Sequence, residues 1–353
     1  MTGDRHDVVI IGGGQAGLAL GHELAATGVG FVILDAGEEI GHVWRERWTS
    51  LRLFTPARYS ALPGLAFPAA PETYPGKDQV ADYLATYAAT FDLPVRTGTT
   101  VTALRRYTHD GFDLDTTRGP VRARQVVIAT GPFQEPLVPA CSAGFAPEVL
   151  QRHSIAYRDP VPFRGRRVLV VGGGNSGFQI AAELATDPAV NAVTLAIGTR
   201  NSCVPQRILG RDLFWWQTRT GLITAPAHSR RGRWMHRGEA TVIGHSLRAL
   251  RRLGITIRPR LVAATRTTAS FADGQHANVD AVVWATGFRR DHSWIQLPGA
   301  LDHGTLRQHD GRTRVPGLFV LGLPWQRTAG SALLGYVGHD ATHLAALLCA
   351  GHE

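Results

Sequence analysis

The feature that most constrains this chain is a pattern it contains twice: an apolar run, a Gly-x-Gly-x-x-Gly turn and a helical stretch. In the first copy residues 7–11 read Asp-Val-Val-Ile-Ile and Gly12-x-Gly14-x-x-Gly17 follows. Leu18, Leu20, Leu24 and Ala25 then recur with helical spacing up to the break at Gly28 and Gly30. Residues 31–34 form a second apolar run that ends at Asp35. Short apolar runs bounded by glycine read as strands buried on both faces, so residues 7–35 predict a βαβ unit. In the second copy residues 166–171 lead into Gly172-x-Gly174-x-x-Gly177, residues 178–185 form the helix and residues 192–197 the next strand. Residues 126–131 and 282–287 share an ending, an apolar strand running into Ala-Thr-Gly. The reading is α/β: two Rossmann-like, three-layer dinucleotide-binding folds, the second inserted into a discontinuous first. The expected boundaries are 1–158 for the first part of the first domain, 159–280 for the inserted domain and 281–353 for the remainder.

Each glycine has a separate task. Gly12 and Gly172 permit the tight turn, Gly14 and Gly174 let a diphosphate approach the backbone, and Gly17 and Gly177 let helix and strand pack closely. The phosphates then face a helix N-terminus, where free N–H groups and the dipole favour anions. The pattern alone is weakly specific in a chain with 40 glycines. The strand before, the helix after and the acid beyond give it weight. Asp35 stands where a carboxylate accepts hydrogen bonds from ribose hydroxyls. The second copy has no acid there; its strand ends at Gly198-Thr199-Arg200. An arginine can hold a 2′-phosphate bidentately, so the second site leans towards NADP(H) with Arg200 as the candidate, Arg207 and Arg211 being alternatives.

Two dinucleotide sites in one chain imply hydride transfer between a nicotinamide and a flavin, FAD in the first fold and NADPH in the second. The acceptor beyond the flavin is constrained by cysteine. Cys141, Cys203 and Cys349 lie far apart with no Cys-x-x-Cys, which argues against a dithiol and a zinc site and leaves dioxygen as the simplest acceptor. No Ser/His/Asp order, His pair or acidic metal cluster stands out. The formal charge is +9, almost all of it arginine, since Lys77 is the only lysine. The arginine-rich stretches 229–237 and 248–260 lack interleaved aromatics and any nucleic-acid motif, so a solvated face is the better reading. No apolar run is long enough to span a membrane and no signal peptide opens the chain, so the expected location is the cytoplasm. The oligomeric state is open. Trp215 and Trp216 read as core packing; Trp325 and Gln326, after the last strand, divide evenly between pocket and packing.

An ordered set of segments carries a resemblance. Residues 126–133 read Val-Val-Ile-Ala-Thr-Gly-Pro-Phe; His153, Ser154 and Tyr157 follow; the second turn is Gly-Gly-Gly-Asn-Ser-Gly; residues 284–288 read Trp-Ala-Thr-Gly-Phe; and residues 316–326 read Pro-Gly-Leu-Phe-Val-Leu-Gly-Leu-Pro-Trp-Gln. Over nearly its whole length the chain resembles the flavin-containing monooxygenase superfamily, nearest to its short bacterial monooxygenase-like, cation-efflux-associated oxidoreductases. The resemblance implies an NADPH-dependent monooxygenase that uses dioxygen through a C4a-(hydro)peroxyflavin on a small-molecule substrate. It implies flavin contacts at Gly12, Gly14, Gln15, Ala16, Gly17, Asp35, Trp44, Thr130, Gly131, Ser331, Ala332 and Leu333. It implies nicotinamide-nucleotide contacts at Gly172, Gly174, Asn175, Ser176, Gly177, Arg200, Thr286 and Gly287. Two departures stand out. Of the family's Phe-x-Gly-x-x-x-His-x-x-x-Phe/Tyr only His153 and Tyr157 remain, with Pro147 and Val149 at the other two places. Where many members carry an asparagine near the flavin, Phe54 and Thr55 stand here, so they become substrate-pocket candidates and no catalytic residue is assigned. The alternative is an NADPH-dependent flavin reductase or oxidase that passes electrons to a quinone, a metal-linked substrate or dioxygen without oxygenation.

Overall fold

The computed structural model describes residues 4–108, 111–198, 202–236 and 241–350. The first apolar runs are buried strands: Asp4–Ile11 lies parallel to Phe31–Leu34 on one side and to Val121–Ile128 on the other. Val95–Arg96 extends the sheet beyond Phe31–Leu34, and Leu318–Val320 joins it parallel to Val121–Ile128. The C-terminal segment therefore returns to the first sheet, as a discontinuous fold requires. A hairpin of Val101–Thr108 and Gly111–Thr116 also leans antiparallel on Val121–Ile128. On one face the helices Gln15–Ala25, Lys77–Thr90 and Val337–Ala350 cover Ile10, Ile33 and Val127. On the other face Phe112, Leu114, Ile295 and Leu306 cover Val9, Val32 and Val126. Leu18, Leu20 and Leu24 of the first helix are fully buried, each contributing about 1.5–3 kcal/mol by leaving water.

The second sheet is wholly parallel, in the order Thr256–Arg258, Ala192–Ala196, Arg167–Val171, Ala281–Trp284, Leu150–His153. The helix Asn175–Thr186 packs on one face through Phe178, Ile180 and Leu184. Phe145, Phe271 and Trp284 fill the other face. The strand membership corrects the expected boundaries at both ends. Leu150–His153, expected within 1–158, is an edge strand of the second sheet, and Ala281–Trp284, expected within 281–353, is one of its central strands. The edge strand escapes notice because it is half-exposed and sits at the end of a proline-rich stretch. The chain crosses back near Phe288–Arg289, which pairs antiparallel with Glu135–Pro136 of the outgoing crossover.

Among the described residues, no helix is long and apolar enough to cross a membrane. Trp215 and Trp216, expected in the core, lie half-exposed on the helix Leu213–Arg219, whose buried side chains are Leu213 and Phe214.

Candidate functional site

The two glycine turns have the same geometry. Gly12 holds φ at +114°, and a Cβ there would lie 2.5 Å from the Ala129 carbonyl oxygen; a Cβ on Gly17 would lie 1.9 Å from the Gly12 carbonyl oxygen. Gly172 holds φ at +143°, with the Ala285 oxygen 2.0 Å from its missing Cβ, and Gly177 meets the Gly172 oxygen at 2.2 Å. These four glycines are demanded by the protein's own backbone. At Gly14 and Gly174, by contrast, a Cβ would meet nothing within 4 Å. Each caps its helix in extended conformation with no side-chain hydrogen bond and no acid in the first turn. The first N–H groups of both helices thus have no side-chain cap, and the adjoining glycine leaves room for another acceptor, the arrangement that suits a diphosphate.

Around the first turn the structure gathers most of the flavin candidates. Asp35 accepts from the backbone N–H groups of Gly13 and Gly37. Gln15 Nε2 donates to the Ala332 carbonyl at 2.8 Å, which brings the Ser331, Ala332 and Leu333 loop beside the turn that holds Gly12, Ala16 and Gly17. Ser331 is fully buried, and its hydroxyl accepts from Arg327 N at 3.1 Å and Thr328 N at 2.9 Å. Asp340 lies buried in the first turn of the last helix, 3.4 Å from Arg327; burial pushes its carboxyl above the usual range. Thr130 Oγ1 accepts from Gln134 at 2.6 Å, and Gly131 turns with φ at +70°. Trp44 packs half-buried against the first core face.

Around the second turn the side chains are committed to the protein. The Asn175 amide spans the Thr241 carbonyl at 3.1 Å and the Ile243 N–H at 3.0 Å. Ser176 is half-buried in the first helical turn. Thr286 Oγ1 donates to the Leu137 carbonyl, and the Gly287 carbonyl accepts from Leu137 N and from His153 Nε2, both at 3.0 Å. Arg200 lies outside the described residues. Its alternatives Arg207 and Arg211 line a cavity of about 200 Å³ with Tyr59 and Trp215, beside the loop that carries Phe54.

The pocket candidates separate. Phe54 lies nearly parallel to Phe214, centroids 5.9 Å apart, in an apolar cluster with Ile223, Tyr336 and Leu333. Thr55 is buried, its hydroxyl hydrogen-bonded to Ser60 at 2.9 Å. Trp325 sits half-exposed at φ +57° against His236. Gln326 is packing: its amide donates to the Val320 carbonyl at 2.7 Å and accepts from Leu323 N at 3.1 Å, closing the turn after the last strand.

Sequence reasoning missed two elements. One is a bridge between the folds, in which Gln206 Nε2 reaches both the Phe54 carbonyl at 2.9 Å and Asp212 at 2.8 Å. Tyr74 donates to the same carboxylate at 2.8 Å, and burial pushes its phenol up to about 12. Asp212 also caps the helix Leu213–Arg219, a signal the Asp-Leu-Phe sequence carries. The other is Arg47, whose guanidinium stands over two phenylalanine rings where the folds meet.

Two sheets with parallel central strands, each ending in a glycine turn at a helix N-terminus, are the architecture of a double dinucleotide-binding fold. The chain belongs to the pyridine nucleotide-disulphide oxidoreductase family, whose model matches residues 9–203. It is 42% identical to an uncharacterized CzcO-like oxidoreductase of Geobacillus kaustophilus, over 96% of this chain and 97% of that one. It is 30% identical to indole-3-pyruvate monooxygenase YUCCA8 of Oryza sativa subsp. japonica, over 96% of this chain and 89% of that one. The solved flavin-containing monooxygenase of Stenotrophomonas maltophilia superposes with a TM-score of 0.83 at 31% identity, covering 99% of this chain and 100% of that one. These relatives bear out the resemblance to the flavin-containing monooxygenase superfamily. Cys141, Cys203 and Cys349 are all free.

Proposed function

We propose that this protein is an NADPH-dependent FAD monooxygenase acting on a small organic molecule with dioxygen. The observation that carries the reading is the pair of open cradles at Gly14 and Gly174, each built by two flanking glycines that admit no side chain. FAD is assigned to the first sheet, with its diphosphate on the N-terminus of the helix Gln15–Ala25, its ribose at Asp35 and its ring towards Ser331, Ala332 and Leu333. NADPH is assigned to the second sheet, with Arg200 on its 2′-phosphate. Bound FAD supplies hydride acceptance and the reduction of dioxygen. The chain supplies position: Gln15 fixes the loop at Ala332, and Gln206 fixes the Phe54 loop to the second fold. The cluster of Phe54, Phe214, Ile223 and Tyr336 supplies an apolar wall that excludes water beside Leu333. The name of the rice relative fits an aromatic carbonyl substrate against such a wall.

The oxidase reading draws on one observation. Phe54 is apolar and the Thr55 hydroxyl is engaged by Ser60, so these two side chains offer the flavin no free hydrogen-bond donor. The two readings separate by electron balance. Yellow purified protein should bleach with NADPH under argon. In air, with sulfides, amines and carbonyl compounds such as indole-3-pyruvate offered in turn, NADPH consumption should exceed hydrogen peroxide formed for at least one of them, with an oxygenated product. Peroxide equal to NADPH with every compound would replace the monooxygenase by the oxidase, and NADPH turnover only on adding a quinone would replace it by the reductase.

A further inference from the structure

The chain leaves each fold by the same route. Strand Val121–Ile128 continues through Ala129-Thr130-Gly131 to Phe133, and strand Ala281–Trp284 continues through Ala285-Thr286-Gly287 to Phe288. Each exit passes its own glycine turn, since Gly12 faces the Ala129 carbonyl and Gly172 faces the Ala285 carbonyl. The exits converge: the Phe133 and Phe288 rings meet edge to face, centroids 5.4 Å apart, and Phe288 also meets the His153 ring at 4.9 Å. Arg47 reaches this point from the loop after the second strand of the first fold. Its guanidinium carbon lies 5.4 Å from the Phe133 centroid and 5.7 Å from that of Phe288.

Arg47 has a charge problem. It is half-buried, and among the described residues no carboxylate forms an ion pair with it. Its charged neighbour is Arg158, which repels it and is itself paired with Glu46. His153 offers no counter-charge in either protonation state, and its Nε2 donates to the Gly287 carbonyl. Two ring faces compensate a desolvated guanidinium only in part. A half-buried charge without a counter-charge in a ligand-binding fold marks a place where the partner can arrive with the ligand.

The position indicates which anion. In the second sheet the strand order turns between Arg167–Val171 and Ala281–Trp284, and ligands of open α/β sheets sit outside the carboxyl ends of the strands at such a point. Phe288 follows the carboxyl end of that central strand, and His153 is the last residue of its edge neighbour. We propose that Arg47, contributed by the first fold, binds the diphosphate of the nicotinamide dinucleotide held by the second, and so clamps the two folds across the coenzyme. The proposal rests on the two-nucleotide reading above and adds to it a residue of the flavin fold that recognises the other coenzyme.

The test uses FAD-loaded enzyme and the oxidised coenzymes NADP+ and NAD+ as probes, titrated calorimetrically and by perturbation of the flavin spectrum. Arg47→Gln should weaken both about tenfold or more and by the same factor, because the diphosphate is common to both. Arg47→Lys should recover part of the loss, and the salt dependence of binding should be shallower in Arg47→Gln than in the wild type. FAD content should be unchanged. Without coenzyme the thermal midpoint of Arg47→Gln should equal or exceed that of the wild type, since an uncompensated charge has gone; a residue of purely structural importance would lower it. Unchanged NADP+ and NAD+ affinity would overturn the proposal. So would loss of FAD instead, which assigns Arg47 to the flavin diphosphate, or loss of NADP+ affinity alone, which assigns it to the 2′-phosphate. A wild type that binds neither coenzyme would sink the coenzyme reading itself, an outcome distinct from an unaffected Arg47→Gln.

Discussion

Gln15 and Ala332 are 317 residues apart in sequence, and a 2.8 Å hydrogen bond from the Gln15 side chain to the Ala332 carbonyl joins them. The donor stands at the start of the helix that follows the first glycine turn; the acceptor lies in the loop before the last helix. The bond therefore sets the distance between the cradle for a diphosphate and the loop assigned to the flavin ring. Gln15→Ala should cost about 0.5–1.5 kcal/mol of stability, the usual worth of one such bond. FAD affinity should fall by more than the stability does, because the loop loses its tie to the turn. Fluorescence of released FAD during dilution measures it; a variant that loses stability but holds FAD as tightly as the wild type would show that the loop does not face the flavin.

Gly14 and Gly17 should respond oppositely to a side chain. At Gly17 even a Cβ would sit 1.9 Å from a backbone oxygen, so Gly17→Ala should fail to fold or lose several kcal/mol. Gly14 is extended at φ −81° and its Cβ position is open, so Gly14→Val should fold normally. The added methyls then occupy the space assigned to the diphosphate, and the purified protein should be colourless. Circular dichroism of wild-type shape together with stoichiometric FAD in Gly14→Val would refute the assignment of the first cradle.

What the sequence reveals follows from which parts of the fold are buried on both faces. The two βαβ units stand out because Val8, Val9, Ile10 and Val168, Leu169, Val170 are enclosed in the middle of sheets, which forces unbroken apolar runs. The hairpin 101–116 does not stand out: Arg105 is exposed, Arg106, Asp113 and Asp115 are half-exposed, and its pattern resembles a polar loop. The edge strand Leu150–His153 is hidden for the same reason, which is why the expected domain limits miss it at residue 150. Arg47 is invisible for a different reason. Its importance lies in what it lacks, a counter-charge, and only three-dimensional neighbours reveal a lack.

Coenzyme choice is proposed to rest on Arg200. A bidentate, partly shielded contact to the 2′-phosphate contributes on the order of 1.5–3 kcal/mol, roughly a tenfold to hundredfold preference for NADPH over NADH. Arg200→Ala should raise KM for NADPH by that factor and leave KM for NADH nearly unchanged. Arg47→Gln should instead weaken both, so the two arginines are distinguished by one pair of measurements. Equal rises in Arg200→Ala would move the 2′-phosphate contact to Arg207 or Arg211.

The junction should also be sensitive to acid. Burial holds His153 below the ordinary imidazole value of about 6.5, as it does His292 and His245. A histidine with a depressed folded pKa is neutral in the fold while the unfolded chain still takes up a proton. Its contribution to stability is complete well above pH 6.5 and is lost as pH falls through the unfolded value towards the folded one. Neutral His153 donates through Nε2 to Gly287 and accepts at Nδ1 from Ile155 N at 3.3 Å; protonation removes that acceptor and sets a second cation beside Arg47. Wild-type stability should fall between about pH 7 and 5, and His153→Asn should flatten part of that slope at a lower plateau. Chemical denaturation at several pH values measures it, and an identical slope in the variant would remove His153 from the account.

Phe54 offers the sharpest test of the pocket. Its ring lies at 14° to that of Phe214 and shares a cluster with Tyr336 and Leu333, while its carbonyl is held independently by Gln206. The backbone tie survives substitution, so Phe54→Ala should keep the loop in place and open a void in the wall. For a half-buried ring the cost should be about 1–3 kcal/mol, below the 3–5 of a fully buried one. Water then reaches the space beside Leu333, where the flavin ring is assigned, and reduced oxygen should escape protonated. The fraction of NADPH electrons recovered as hydrogen peroxide should rise several-fold in Phe54→Ala, with little change in the rate of flavin reduction, which depends on the coenzyme site. Phe54→Leu should return most of the way to the wild type by refilling the void. A peroxide fraction in Phe54→Ala equal to that of the wild type, despite the expected loss of stability, would place the oxygen-handling chamber elsewhere and leave Phe54 as packing alone.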